Sequence, residues 1–273
     1  MKLVDVHAHL DHARFNEDLD EVIERFKKAG GKFIITSGVN RATNRKIIEI
    51  SEKYPDIVKC SFGIYPIDAL AKELEIGEAE GFARDLEKFD VDEELAWIEE
   101  HKDYCVAIGE IGLDYNWKEF QSEKEVTMQK EVFKKCLEIA KKINKPVIIH
   151  SRKAELDAIE ILEKEDVKKV VMHCFNGKKS LIKRCIANKW YFSVPPIITR
   201  LEHFKMLVEM IPIEQLLTET DAPYLSPVAG ERNEPANVAV TIKEISNIKG
   251  LSEEETANKI LDNFTKLFNL QPL

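Results

Sequence analysis

Cysteine is scarce in this sequence. Five occur in 273 residues (Cys60, Cys105, Cys136, Cys174 and Cys185), odd in number and without a CxxC pair. A disulfide scaffold or a structural zinc knuckle is therefore not expected, and a reducing cytoplasm is the default compartment. No apolar run approaches the roughly 18 residues of a membrane-spanning helix. The first residues, MKLVDVHAHLDHARF, lack the apolar stretch and small-residue cleavage site of a secretory signal. Positive charge is in deficit: Lys+Arg 40 against Asp+Glu 49, a net −9. That excludes a protein that coats nucleic acid through a broad basic surface. It does not exclude an enzyme with a local field of its own. There is no GxSxG, and no cysteine sits in a nucleophile context, which argues against a serine or cysteine hydrolase. The glycine-rich phosphate turn of dinucleotide-binding sheets is also missing. After the first apolar run comes HAHLDH.

What the chain does have is a rhythm. Apolar residues make up 44%, enough for a sizeable core. Short β-branched runs alternate with amphipathic stretches. Strands are expected at 3–6, 32–39, 58–64, 106–108, 147–149, 170–172, 191–194 and 215–218. Helices are expected at 18–29, 43–53, 123–143, 154–163, 178–188, 201–210, 238–248 and 253–268. Continuously apolar strands between helices point to a parallel sheet. Eight such units in about 250 residues fit a single (β/α)8 barrel of TIM type covering 1–273. A doubly wound open sheet is the structural alternative. The stretch 65–104, between the third and fourth strands, is far longer than an ordinary connection and holds two helical patterns. It reads as a surface insertion or as a lid over the mouth.

Metal-ligand side chains gather at strand ends. His7 and His9 follow the first strand, Glu110 the fourth, His150 the fifth, His173 the sixth and Asp221 the eighth. In a parallel barrel the C-terminal ends converge on one mouth. His7 and His9 are two apart, so on an extended segment they share a face. Any one of these residues is accounted for by packing or a turn; six together are not, because burying that many uncompensated polar groups costs about 1–3 kcal/mol each. Four imidazoles and two carboxylates suit first-row divalent ions. Zinc is the favoured single guess, with magnesium or manganese open. Six ligands exceed one tetrahedral ion, so two ions are expected, with Glu110 as the bridge. Water between two such ions becomes a nucleophile near neutral pH.

Seven segments carry a resemblance: DVHAHL (Asp5–Leu10), GIYP (Gly63–Pro66), AIGEIGLDY (Ala107–Tyr115), PVIIHSR (Pro146–Arg152), HCFNG (His173–Gly177), TETDAPYL (Thr218–Leu225) and RNEP (Arg232–Pro235). In this order they resemble the TatD-like metal-dependent hydrolases of the amidohydrolase barrels, over nearly the whole chain. The resemblance implies that His7, His9 and Asp221 hold one ion, that His150 and His173 hold the second, and that Glu110 bridges them. It also implies a deoxyribonuclease, often a 3′→5′ exonuclease; a few relatives instead deacylate mischarged tRNA. Two departures stand out. Tyr65 occupies a position where the family usually has His, and a phenol is a weaker base and poorer ligand. The 65–104 insertion is long enough to narrow the mouth.

The expected reaction is metal-assisted phosphodiester hydrolysis, with Asp221 orienting the attacking water or carrying its proton. Arg152, two residues after His150, is expected to clamp a phosphate unless a helix carboxylate claims it. Arg232 is a second phosphate candidate that Glu231 or Glu234 equally well accounts for. Asn176 either bonds substrate or shapes a turn, and Tyr65 is a hydrogen-bond donor at the pocket. Glu219 reads as an internal acceptor, and Asp114 and Tyr115 as loop-shaping. Tyr65, Tyr115, Trp117 and Tyr224 are candidates for stacking on bases, whereas Phe175 reads as core. The partner expected is nucleic acid as substrate, at ends or single strands, with no membrane and a monomer as the default. Two divalent ions bring −9 to −5 and reverse the sign at the mouth, so weak, salt-sensitive, end-directed binding follows. The competing readings are a metal-dependent deacylase or amidohydrolase acting on an ester or amide, and a silent binding barrel.

Overall fold

The computed structural model describes residues 1–72, 86, 88–116 and 122–271. The middle of the 65–104 segment and Trp117 lie outside the described residues. Eight strands form one sheet in chain order: β1 (Leu3–Ala8), β2 (Gly31–Ser37), β3 (Val58–Ile64), β4 (Cys105–Asp114), β5 (Val147–Arg152), β6 (Val170–His173), β7 (Tyr191–Val194) and β8 (Leu216–Thr218). Every neighbouring pair is parallel. The barrel nearly closes between β8 and β1, where the Thr218 hydroxyl donates to Val4 O at 2.6 Å and Ala8 bridges Ala222. The helices are α1 (Leu19–Lys28), α2 (Arg41–Lys53), α3 (Val91–Glu100), α4 (Glu123–Lys142), α5 (Glu155–Lys164), α6 (Lys179–Ala187), α7 (Glu202–Met210), α8 (Val238–Lys249) and α9 (Glu253–Phe268). This is the (β/α)8 barrel that the alternation predicted.

The elements form where local chemistry favours them. Helix α1 buries Val22, Ile23 and Phe26, the spacing of one helical face. Capping boxes start α2 (Asn40 with Thr43), α4 (Ser122 with Glu125) and α9 (Ser252 with Glu255), pairing N–H groups that would otherwise be orphaned. Strands such as VKCSFGI and YFSV are buried almost throughout, because helices cover them outside and neighbouring strands pack inside.

One expectation needs correction. The fourth strand is not a three-residue stub but spans ten residues, Cys105–Asp114. Gly109 and Gly112 interrupt its apolar run in the sequence, yet both flanking strands pair across Gly109 with register shifts, and β5 pairs Gly112 with His150. Glu110 therefore lies inside β4 rather than after it. His7, His150 and His173 likewise occupy the last residues of their strands. These four side chains are thus held within strands, whereas His9 and Asp221 lie just past β1 and β8.

Candidate metal centre

The residues behind the centre set its backbone. Buried Asp5 on β1 accepts from the N–H groups of His7 (3.2 Å) and Thr220 (3.0 Å) and from the Thr220 hydroxyl. Burial pushes its carboxyl up to about 7, although the Thr220 and His7 hydrogen bonds pull the other way. This clasp ties β1 to the segment after β8. Asp221 N–H then donates to His7 O (2.8 Å) and His9 N–H to Ala222 O (2.8 Å), which brings the Asp221 carboxylate to the two histidines. Across the barrel, a Cβ on Gly63 would sit 2.3 Å from Glu110 N, so only glycine lets β4 pass this close.

Every histidine of the cluster is aimed by the nitrogen it turns away. His9 Nδ1 donates to the Ser37 carbonyl (3.1 Å), and His7 Nδ1 meets the Ser37 hydroxyl (3.0 Å). His173 Nδ1 donates to Glu219 Oε2 (2.8 Å), which the Ser193 hydroxyl also reaches. His150 Nε2 donates to Asp114 Oδ2 (3.1 Å), and the Tyr65 hydroxyl donates to that same oxygen (2.7 Å). With one N–H spent outward, the opposite nitrogen presents its lone pair to the centre, the arrangement metal-ligating imidazoles adopt. The sequence alone does not point to Ser37 or Ser193, and in it Asp114 reads only as loop-shaping. The one signal for Ser37 was a polar residue closing the apolar run KFIITS at the level of the ligands.

The spacing of the inward atoms tests whether a metal fits. His7 Nε2 stands 3.6 Å from Glu110 Oε2 and 3.5 Å from Asp221 Oδ1; His9 Nε2 stands 3.6 and 3.3 Å from the same two oxygens. A tetrahedron with bonds of about 2.0–2.2 Å has edges of roughly 3.3–3.6 Å. These gaps are long for hydrogen bonds. His7 Nε2 is fully buried and has no hydrogen-bond partner, an orphan that a cation would satisfy. The other oxygen of Glu110, Oε1, faces His150 Nδ1 (2.7 Å) and His173 Nε2 (3.7 Å). Three sets of side chains here could hold an ion: His7, His9, Glu110; His7, His173, Asp221; and Glu110, His150, His173. The six expected ligands are thus brought together, with Glu110 facing both ways.

The imidazoles and carboxylates also shift one another's titration. Burial opposes charge on His150, but hydrogen bonds to Asp114 and Glu110 raise it to about 9. His7 and His9 are also raised, against burial, by Asp221 and Glu110. Glu110 is held well below the usual carboxylate range despite its burial, through the close His150 contact and the nearby His7; Asp221 is lowered, also against burial, by the neighbouring His7 and His9. Burial and neighbouring carboxylates keep the Cys174 thiol protonated. Cys174 does not continue the strand alternation: β6 ends at His173, and Cys174 turns with φ 42° into a cleft wall.

Two hollows open onto the centre, and His150, Arg152, His173 and Asp221 line both. A cleft of about 1060 Å³ lies over the β5 and β6 loops. A smaller one of about 280 Å³ lies over the β1 side, with Asp11, His12, Tyr65 and Tyr224. Arg152 stands between them, and no carboxylate pairs with it among the described residues. Asn176 lines the large cleft but spends its amide on Cys174 O (2.7 Å), so it shapes the turn. Arg232 is not brought to the centre. Its guanidinium forks onto Asp18 (2.7 and 2.6 Å), reaches Arg14 O and lies 4.8 Å over the Phe15 ring. Arg232 therefore drops out as a phosphate group, since Asp18 satisfies it. Glu231 and Glu234 were the wrong partners to expect; Glu234 instead pairs with Arg25. Phe175 is fully buried in the core.

The family model described as TatD related DNase matches residues 4–269. The chain belongs to the TatD family. It is accordingly a metal-dependent hydrolase, as the resemblance implied. It is 34% identical over 266 residues to the human deoxyribonuclease TATDN3, covering 97% of this chain and 94% of that one. It is 36% identical over 276 residues to the Bacillus subtilis metal-dependent hydrolase YabD, covering 98% and 99%. The crystal structure of YjjV, a TatD homologue from Escherichia coli, superposes with a TM-score of 0.83 at 25% identity, covering 98% of each chain. Among the described residues, no helix of this TatD-family chain is long and apolar enough to cross a membrane.

Proposed function

We propose that this TatD-family chain is a deoxyribonuclease that uses two divalent ions to cleave phosphodiester bonds from a strand end in the 3′→5′ sense. The observation that carries the reading is Glu110, whose two oxygens face two separate ligand sets across one carboxylate. His7, His9 and Asp221 would hold the first ion, and His150 and His173 the second, with zinc, magnesium or manganese compatible with this donor set. When bound, the ions activate water and neutralise charge on the phosphoryl oxygens. The chain's own groups do the rest. Arg152 has a free planar fork where both hollows meet, the place to grip non-bridging phosphate oxygens. Asp221 lines both hollows, so its carboxylate is placed to take the proton of the attacking water and return it to the leaving oxygen. Tyr65, fixed on Asp114, donates or orients but cannot serve as a base, because burial and the Asp114 and Glu110 charges keep its phenol protonated. Five thiols without a disulfide support a reducing, cytoplasmic setting. The test is Asp221→Asn assayed on a labelled single-stranded oligonucleotide with added metal. Nucleotide release should fall to background; undiminished release refutes the role.

A further inference from the structure

The small hollow contains a half-buried acid that neither the metal set nor the mechanism uses. Asp11 lies three residues past β1 and lines the 280 Å³ space beside the centre. Its Oδ1 is buried, and no described residue donates a hydrogen bond to it. Lys46, the nearby cation, is held on the Asp11 backbone carbonyl (2.8 Å) rather than on the carboxylate. Asp11 belongs to none of the sets that could hold an ion. An unpaired buried acceptor costs about 1–3 kcal/mol, more when charged. The site thus lacks a donor. The same space is walled by His12 and Tyr224, whose rings meet edge to face at 5.6 Å. Burial and Arg14 keep His12 on the neutral side.

The opposite hollow is larger and mixed in charge. Arg152, Lys153 and Lys178 line it with no carboxylate partner among the described residues, and Glu155 and Asp157 line it too, Asp157 being paired with Lys130 (2.6 Å). A strand's phosphates belong there. The last sugar of a strand carries a hydroxyl, which is a donor. A terminal phosphate offers no donor near neutral pH and carries like charge.

We propose that Asp11 is a specificity residue: its carboxylate accepts a hydrogen bond from the terminal 3′-hydroxyl of the strand and rejects a 3′-phosphate end. This rests on the nuclease reading above. The experiment compares kcat/KM on one single-stranded oligonucleotide ending in 3′-hydroxyl or in 3′-phosphate. A charged hydrogen bond corresponds to about tenfold to a hundredfold, so the wild type should favour the hydroxyl end by that factor. Asp11→Asn, which keeps an acceptor and loses the charge, should bring the ratio below about threefold, chiefly through KM on the phosphate end; Asp11→Ser is the second variant. A merely structural Asp11 would lower both rates together and leave the ratio intact. A wild-type ratio near one, or an unchanged ratio in both variants, overturns the inference while nuclease activity stands. If the wild type cleaves neither strand, the nuclease reading itself fails and this inference with it.

Discussion

The two sides of the mouth are built from the same scaffold and differ in charge. Over β5 and β6 the walls carry Arg152, Lys153 and Lys178 beside Glu155 and the Lys130-paired Asp157, and helix α6 begins there with no side-chain cap and no acid in its first turn. Its free N–H groups and dipole favour an anion. Over β1 the wall carries Asp11, His12 and Tyr224 in about a quarter of the space (280 against 1060 Å³). The difference teaches direction. A strand has a polyanionic body and one sugar at its end, and the mouth offers a wide side with cations that no carboxylate pairs among the described residues and a narrow side with the unpaired Asp11 oxygen. The net −9 of the chain is thus no obstacle, since the field at the site is local.

The largest effect should come from the residue both sides share. Glu110→Gln should cost several kcal/mol of transition-state stabilisation, about a thousandfold in kcat, and lower the metal content measured by elemental analysis. Next are the groups that aim the ligands. Ser37→Ala on the β1 side and Asp114→Asn on the β5 side should each cost about 10–100-fold in metal affinity or activity. An effect confined to one of them would show that only one side of Glu110 is used. Smaller still, Lys178→Ala and Lys153→Ala should raise KM for a single strand a few-fold. Each should flatten the salt dependence of binding by about 0.7 in log–log slope. A Lys46→Ala change on the narrow side should leave that slope unaltered.

The metal-free state supplies a pH test. His150 is held near 9, above its unfolded value. Its proton stabilises the fold fully below about pH 6.5 and is lost as pH rises through 9. Melting temperature in chelator should therefore fall from pH 6.5 to 9. Added metal should reverse the trend, since binding expels that proton and tightens with pH. The smallest effect on turnover belongs to Arg232→Ala. Its partner is Asp18, so kcat/KM should stay within about twofold while stability falls by about 0–1 kcal/mol.

The barrel was legible because its signals are local: apolar runs, capping boxes and stop residues recur in register with the fold. The ligands were legible because six unusual side chains recur at strand ends. What the sequence did not reveal depends on contacts between distant segments. Ser37 looks like any strand-end serine until β2 lies beside β1. Arg232 offers two readings in the sequence, phosphate or Glu231/Glu234, because its partner, Asp18, stands more than 200 positions away. Asp114 reads as a loop residue while β4 is thought to end at Ile108; a ten-residue strand places it behind His150.

The central claim is that one carboxylate, Glu110, joins two ion sites into a single hydrolytic centre. Metal-stripped protein titrated with Mn²⁺, with nucleotide release from a labelled single strand followed at each addition, tests it most directly. Activity should be absent in chelator and rise to a plateau at two ions per chain. Full activity after stripping, or a plateau reached with one ion or fewer, would contradict it.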